Sequence, residues 1–176
     1  VKGLINVEGR PVVVQAVQTV IHEPVELAQW PTEDRRSRVV FIVRDPHEVL
    51  PAMEHMKAVY RRHMSLQGPH VVDHVATARF MAFYYSVMSD RLTDLPAADH
   101  AVVRYEDLLR DPVGTVQGLY DHLGLPYSAA YDRALAAYVH AVPDHAPNRY
   151  DVSPAMHALA RAECGEILER YGFARS

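Results

Sequence analysis

The sequence predicts an α/β domain, a three-layer parallel sheet flanked by helices, on three observations. Val39-Val40-Phe41-Ile42-Val43 is an unbroken apolar run, mostly β-branched, which is the pattern of a parallel strand covered on both faces. That run passes directly into a helix start, with Asp45 as N-cap, Pro46 at the first helical position and Glu48 three residues after the cap, the spacing of a capping box. The same order returns downstream, where the short apolar stretch His100 to Tyr105 is followed by the cap-plus-proline pair Asp111-Pro112. Strands that alternate with helices in this way build parallel sheets with helical crossovers.

The other elements follow in order. Pro11 to Ile21 is rich in valine and predicts a strand ending near His22, which His22-Glu23-Pro24 breaks. Val25 to Trp30 fits a short helix, and residues 31–36 fit a polar loop. Pro46 to about Met64 predicts a helix with Val49, Met53, Met56, Tyr60 and Met64 on its buried face, and Pro51 should bend or shorten it. The methionine stripe reads as core packing. After Gln67-Gly68-Pro69, a second helix is expected from about Val71 to Leu92, with Val72, Ala76, Phe80, Phe83, Tyr84, Val87 and Met88 inward. The helix opened by Asp111-Pro112 should bury Val113, Val116, Leu119, Tyr120 and Leu123, with Gly124 just past its end. Ser128 to about Val139 reads as helix. Ser153-Pro154 starts the last helix, which carries Met156, Leu159, Ala160, Ile167 and Leu168 inward and stops at Gly172.

Composition narrows the function classes. A length of 176 residues fits one domain, residues 1–176, and 49% apolar with 23% charged residues is ordinary for a globular chain. The net charge of −4 argues against a nucleic-acid or membrane-binding surface. No apolar run reaches the length of a membrane span, and no signal-peptide pattern is present. The single cysteine, Cys164, excludes an internal disulfide and fits a reducing compartment, so a cytoplasmic location is expected. Lysine is confined to Lys2 and Lys57 among 18 basic residues. The chain begins at Val1 rather than methionine, which fits a segment of something longer.

Arg44 stands at the joint between the central strand and its helix. A strand end meeting a helix N-terminus favours anions through free N–H groups and the helix dipole, and arginine adds a planar fork suited to phosphate. The other reading of Arg44 is an ion pair with a nearby carboxylate. His140 and His145 with Asp144 invite a metal reading, but their spacing matches no standard site, and no metal is expected.

Val43-Arg44-Asp45-Pro46, followed by Val103-Arg104-Tyr105-Glu106-Asp107-Leu108 and Asp111-Pro112, resembles the sulfotransferase family. Leu119-Tyr120-Asp121-His122-Leu123-Gly124-Leu125 and the closing Tyr171-Gly172-Phe173 add to the likeness, which runs roughly from His22 to Phe173. The resemblance implies the P-loop-nucleotide-kinase-like sulfotransferase fold. It also implies 3′-phosphoadenosine 5′-phosphosulfate (PAPS) as donor, and a hydroxyl or amine of a small-molecule or glycan as acceptor. Arg44 matches the arginine that grips the donor's 3′-phosphate, and Tyr105 matches a tyrosine beside the adenine. His22 matches the histidine that serves as general base, with Glu23 as the alternative base. Arg149 lies where the family brings a second basic segment to the 3′-phosphate. An imidazole suits the base role because the acceptor must lose a proton as it attacks sulfur.

Three features depart from the family. Ala52 stands where a serine usually shares the 3′-phosphate, and Val20 stands where a lysine often precedes the histidine. No stretch before Pro11 resembles the Ser/Gly/Thr-rich loop that holds the 5′-phosphosulfate, so the first strand and its loop are expected to be lacking. A sheet without that strand would expose apolar edges, which makes self-association an expectation. These departures leave two other readings, a non-catalytic sulfotransferase-like binding or assembly module, or a loop function met by a second chain. A nucleotide kinase is disfavoured, since no lysine-bearing phosphate loop and no acidic pair for Mg²⁺ stand at a strand end.

Overall fold

Two strands, β1 (Val39–Val43) and β2 (His100–Arg104), pair in parallel, in register from Val39 opposite His100 to Val43 opposite Arg104. The computed structural model describes residues 38–64, 73–142 and 148–173, and among these the sheet has two strands. The strand expected over residues 11–21 and the short helix over 25–30 lie outside the described residues. Parallel neighbours need a long crossover. Here it consists of α1 (Pro46–Met64), α2 (His74–Thr93) and a 3₁₀ turn at Ala97–Asp99. After β2 come α3 (Tyr105–Arg110), α4 (Pro112–His122), α5 (Ala129–Ala141) and α6 (Pro154–Arg170). Helix α6 returns to pack on both α1 and α2. The α/β class with parallel strands flanked by helices is the one the alternation predicts.

The core forms where one face of β1 meets these helices. Phe41 and Val43 are buried with Leu50 of α1, Met81, Tyr85 and Met88 of α2, and Ala160, Ile167 and Leu168 of α6. Val40 and Ile42 are 40% and 53% exposed. The expected burial of β1 on both faces is therefore corrected: among the described residues its burial alternates with the two-residue side-chain period of a strand.

Two helices turn inward a face rotated from the one expected, although Val49 and Met53 of α1 and Tyr84 and Met88 of α2 pack in or against the core as predicted. In α1 the buried residues are Pro46, His47, Leu50, Pro51 and Glu54, while Met56 and Tyr60 of the predicted stripe are 56% and 63% exposed. Periodicity misled because the true inner face carries a histidine and a glutamate. Each sits beside a polar side chain: His47 Nδ1 is 3.0 Å from Asp45 Oδ1, and Glu54 Oε2 is 3.1 Å from His74 Nδ1. Helix α1 also runs unbroken through Pro51 to Met64. The proline ring removes the partner of one carbonyl in the preceding turn, and it is itself buried. In α2 the inner face is Thr77, Ala78, Met81, Tyr85, Met88, Ser89 and Leu92, whereas Phe80 and Phe83 lie outward. Small residues here let α6 approach closely, so that the Cys164 thiol reaches the Ala78 carbonyl at 3.7 Å. The buried hydroxyls are satisfied locally: Thr77 Oγ1 donates to the Asp73 carbonyl at 2.9 Å and Ser89 Oγ to the Tyr85 carbonyl at 2.6 Å.

The predicted helix punctuation is present. Asp111, Ser128 and Ser153 accept from the amides of Gly114, Tyr131 and Met156 at 2.9, 3.1 and 3.2 Å. Gly124 and Gly172 take φ of 61° and 72°, the left-handed conformation that ends a helix. Helix α6 is kinked at Cys164, where φ is −118° and ψ 17°.

Truncating Leu50 to alanine should cost about 2–5 kcal/mol of stability, the usual cost of a large-to-small change in a closed core, read from denaturant unfolding. Burial pushes the Cys164 thiol up to about 11. The native chain should therefore resist alkylation at about pH 8 and react only on unfolding; rapid native labelling would contradict this burial.

Candidate functional site

Register explains the site. Because Val43 pairs with Arg104, the next residue on each strand, Arg44 and Tyr105, emerges at the same end of the sheet. The Arg44 guanidinium lies 4.8 Å from the centre of the Tyr105 ring, within cation–π range. The structure thus brings together two residues that the sequence had placed separately.

Two side chains hold Arg44, and a third holds the residue after it. Its Nε and Nη2 donate to Glu48 Oε2 at 3.0 and 2.8 Å. Its backbone N–H donates to the Tyr85 hydroxyl at 3.2 Å, and the same hydroxyl donates to the Arg44 carbonyl at 2.9 Å. One residue later, the Asp45 N–H donates to Glu106 Oε1 at 3.0 Å. Burial pushes the Tyr85 phenol up to about 12, so it remains a neutral donor through the physiological range. The Arg44 side chain is 24% exposed and its partner Glu48 is 54% exposed, so solvent and solutes reach the fork.

The first turn of α1 does not itself offer an anion site. Pro46 has no N–H. The His47 N–H is taken by Asp45 Oδ1 at 2.9 Å, and the N–H groups of Glu48 and Val49 by the Asp45 carbonyl at 2.9 and 3.0 Å. The buried Asp45 carboxylate also meets His47 Nδ1 at 3.0 Å. A carboxylate already occupies the positive end of this helix. The expectation of free amides at the joint is therefore corrected, and the attraction for an anion rests on the Arg44 side chain. The capping box is corrected too: Glu48 turns to Arg44, and Glu106 from α3 takes the N–H of Asp45 that Glu48 would have reached.

The remaining predicted residues are placed as follows. His22 and Glu23 lie outside the described residues. Arg149 is exposed, and its neighbour Tyr150 sits 5.0 Å from the His55 ring, roughly three turns along α1 from the Arg44 end. Ala52 is part-buried on α1 and brings no hydroxyl. Among the described residues no three histidine, cysteine or carboxylate side chains gather as a metal site. No helix there is long and apolar enough to cross a membrane. A groove of about 820 Å³ is lined by β2, α4 and the end of α6, including Arg104, Gly118 and Tyr171, but not by Arg44 or Tyr105.

Sequence reasoning missed Tyr85 and Glu106. The spacing of Met81, Tyr85 and Met88 on one face of α2 was the available signal for the first. For the second, the signal was the position of Glu106 directly after the strand end that carries Tyr105.

Comparison with known proteins adds the identity of the family. The model described as "Sulfotransferase family" matches residues 35–129, more than half of the chain, and spans β1, the Arg44 joint, β2 and Tyr105. A second model, for the C-terminal domain of cobalamin synthesis protein cobW, matches residues 1–53, most of which lie outside the described residues. Omega-hydroxy-beta-dihydromenaquinone-9 sulfotransferases of Mycobacterium bovis and Mycobacterium tuberculosis are each 34% identical to it over 143 residues, which is 80% of this chain and 36% of theirs. The chain thus spans little more than a third of the length of these curated relatives. A solved sulfotransferase domain from the curacin biosynthetic pathway aligns with a TM-score of 0.49 and 16% identity, over 82% of this chain and 59% of that one. The match across residues 35–129, which takes in both strands and the joint between them, makes the chain a member of the sulfotransferase family.

Proposed function

We propose that the Arg44–Tyr105 corner is the 3′-phosphoadenosine end of a donor site, in a protein that moves a sulfuryl group from PAPS to the hydroxyl of a small-molecule acceptor. The observation that carries this reading is the guanidinium held over the Tyr105 ring at the common end of β1 and β2. A planar cation beside an aromatic face suits a phosphorylated adenosine, with the fork on the phosphate and the ring beside the base. The two relatives are named for an omega-hydroxy acceptor, which favours a hydroxyl over an amine or a glycan.

In the reaction, the acceptor oxygen attacks sulfur. A new S–O bond forms as the bond to the 5′-phosphate breaks, 3′-phosphoadenosine 5′-phosphate leaves, and the acceptor proton passes to a base. His22 is our candidate for that base and Glu23 the alternative. Arg44 acts at the far end of the nucleotide, where binding energy fixes the position of the reacting end. Arg149 is our candidate for a second cation on the 3′-phosphate.

Glu48 must give way to the phosphate. An exposed (i, i+4) pair contributes only about 0.3–0.5 kcal/mol, whereas hydrogen bonds to a charged group contribute about 1.5–3 kcal/mol. Displacing so exposed a carboxylate costs little, and a phosphate brings more negative charge to the fork than Glu48 does. A second reading, a binding module without catalysis, is favoured by Ala52, which supplies no hydroxyl to the phosphate. Nucleotide binding without sulfuryl transfer to any hydroxylated acceptor would select it.

Replacing Arg44 by alanine should weaken binding of 3′-phosphoadenosine 5′-phosphate by roughly tenfold or more in calorimetric titration. Unchanged affinity would remove Arg44 from the donor site. Glu48→Gln should tighten the same nucleotide about twofold by releasing the fork. Weaker binding would instead make Glu48 a support for the bound state.

A further inference from the structure

The Arg44 side chain can hold a phosphate only if its backbone is fixed. Both polar groups of that backbone go to a single atom, the Tyr85 hydroxyl, which accepts from the N–H at 3.2 Å and donates to the carbonyl at 2.9 Å. A phenol can fill both roles at once because it has one donor and free lone pairs. The residue that supplies it is remote in sequence and rigid in place. Tyr85 is buried on the inner face of α2. Its ring meets Phe41 of β1 edge-on at 5.7 Å and Tyr84 at 6.1 Å. Phe41 belongs to the same strand that ends at Arg44, so the hydroxyl is referenced to β1 itself.

Resting on the donor-site reading above, we infer that Tyr85 is the positioning residue for the 3′-phosphate clamp. Its hydroxyl sets the backbone angles of Arg44, and those angles aim the guanidinium over Tyr105, where the phosphate is read. Tyr85 does not touch the nucleotide; it acts through Arg44. The consequence is specific to the 3′-phosphate. Without the hydroxyl, the joint keeps its aromatic packing but Arg44 loses two backbone restraints, so the fork samples other directions. The ability to tell a 3′-phosphorylated nucleotide from its unphosphorylated counterpart then falls. Tyr85 differs in this from a core residue that only adds stability, whose loss would weaken all nucleotides alike.

The test is the ratio of affinities for 3′-phosphoadenosine 5′-phosphate and adenosine 5′-phosphate, measured by titration calorimetry on the full chain and on Tyr85→Phe. The ratio should fall about 3- to 10-fold in the variant, the scale of the lost hydrogen bonds, with adenosine 5′-phosphate affinity little changed. Tyr84→Phe, next along α2, should leave the ratio as in the parent chain. If Tyr85→Phe does not fold, a fluorinated tyrosine at position 85 keeps the shape and ionises at lower pH. Raising the pH through its phenol pKa then removes the donor, and the ratio should fall with it. An unchanged ratio in Tyr85→Phe, or in the ionised fluorotyrosine form, overturns the positioning role while leaving the donor site standing. Equal affinities for the two nucleotides in the parent chain would overturn the donor-site reading, and this inference with it.

Discussion

The joint between β1 and α1 is held by side chains that arrive from far along the chain. The Tyr85 hydroxyl secures both backbone groups of Arg44, and the Glu106 carboxylate takes the N–H of Asp45. Both side chains come from far along the chain, Tyr85 from the crossover helix α2 and Glu106 from α3. The joint is therefore formed only when the crossover has packed and the two strands have paired. Their register then decides what stands beside what. A parallel slip of one residue would pair Arg44 with Arg104 and move Tyr105 away from the guanidinium.

The same economy of contacts extends into the core. Phe41 touches Tyr84, Tyr85 and Tyr171 edge-on, with ring centres 5.7–6.5 Å apart, and so connects β1 to α2 and to the end of α6. Tyr171 also hydrogen-bonds Ser89, tying the chain end to the middle of α2. On the other side of the joint, the buried Asp45–His47 pair faces His157 of α6, with the two imidazole rings 5.1 Å apart. Apolar packing thus secures one side of the Arg44 corner and a buried polar pair the other. Charge at this corner is balanced locally, since Arg44 lies on Glu48 and Arg104 lies 3.7 Å from Glu106. An arriving phosphate would exchange one anionic partner of Arg44 for another, without burying a new unpaired charge.

Much of this was legible in the sequence because local rules governed it. Asp111, Ser128 and Ser153 cap helices where their side chains predicted caps, and Gly124 and Gly172 end helices where a positive φ was needed. Helix α1 starts at Pro46, where the cap-plus-proline pair places it. What the sequence hid was everything decided by tertiary packing. The buried faces of α1 and α2 carry His47, Glu54, Thr77 and Ser89, which apolar periodicity assigns to solvent. The exposed Phe80 and Phe83 pulled the reading of α2 the wrong way. The roles of Tyr85 and Glu106 depend on partners some 40 to 60 residues away, beyond the reach of any local pattern.

The most direct measurement of the central claim, that Arg44 receives the 3′-phosphate, is to follow the arginine Nε–Hε signals by NMR during titration with 3′-phosphoadenosine 5′-phosphate. The account predicts that the Arg44 signal, now bonded to Glu48 at 3.0 Å, shifts with nucleotide occupancy, while that of Arg79 on its partner Glu163 stays in place. Saturable nucleotide binding with an unmoved Arg44 signal would contradict it, because the phosphate would then be held by other groups.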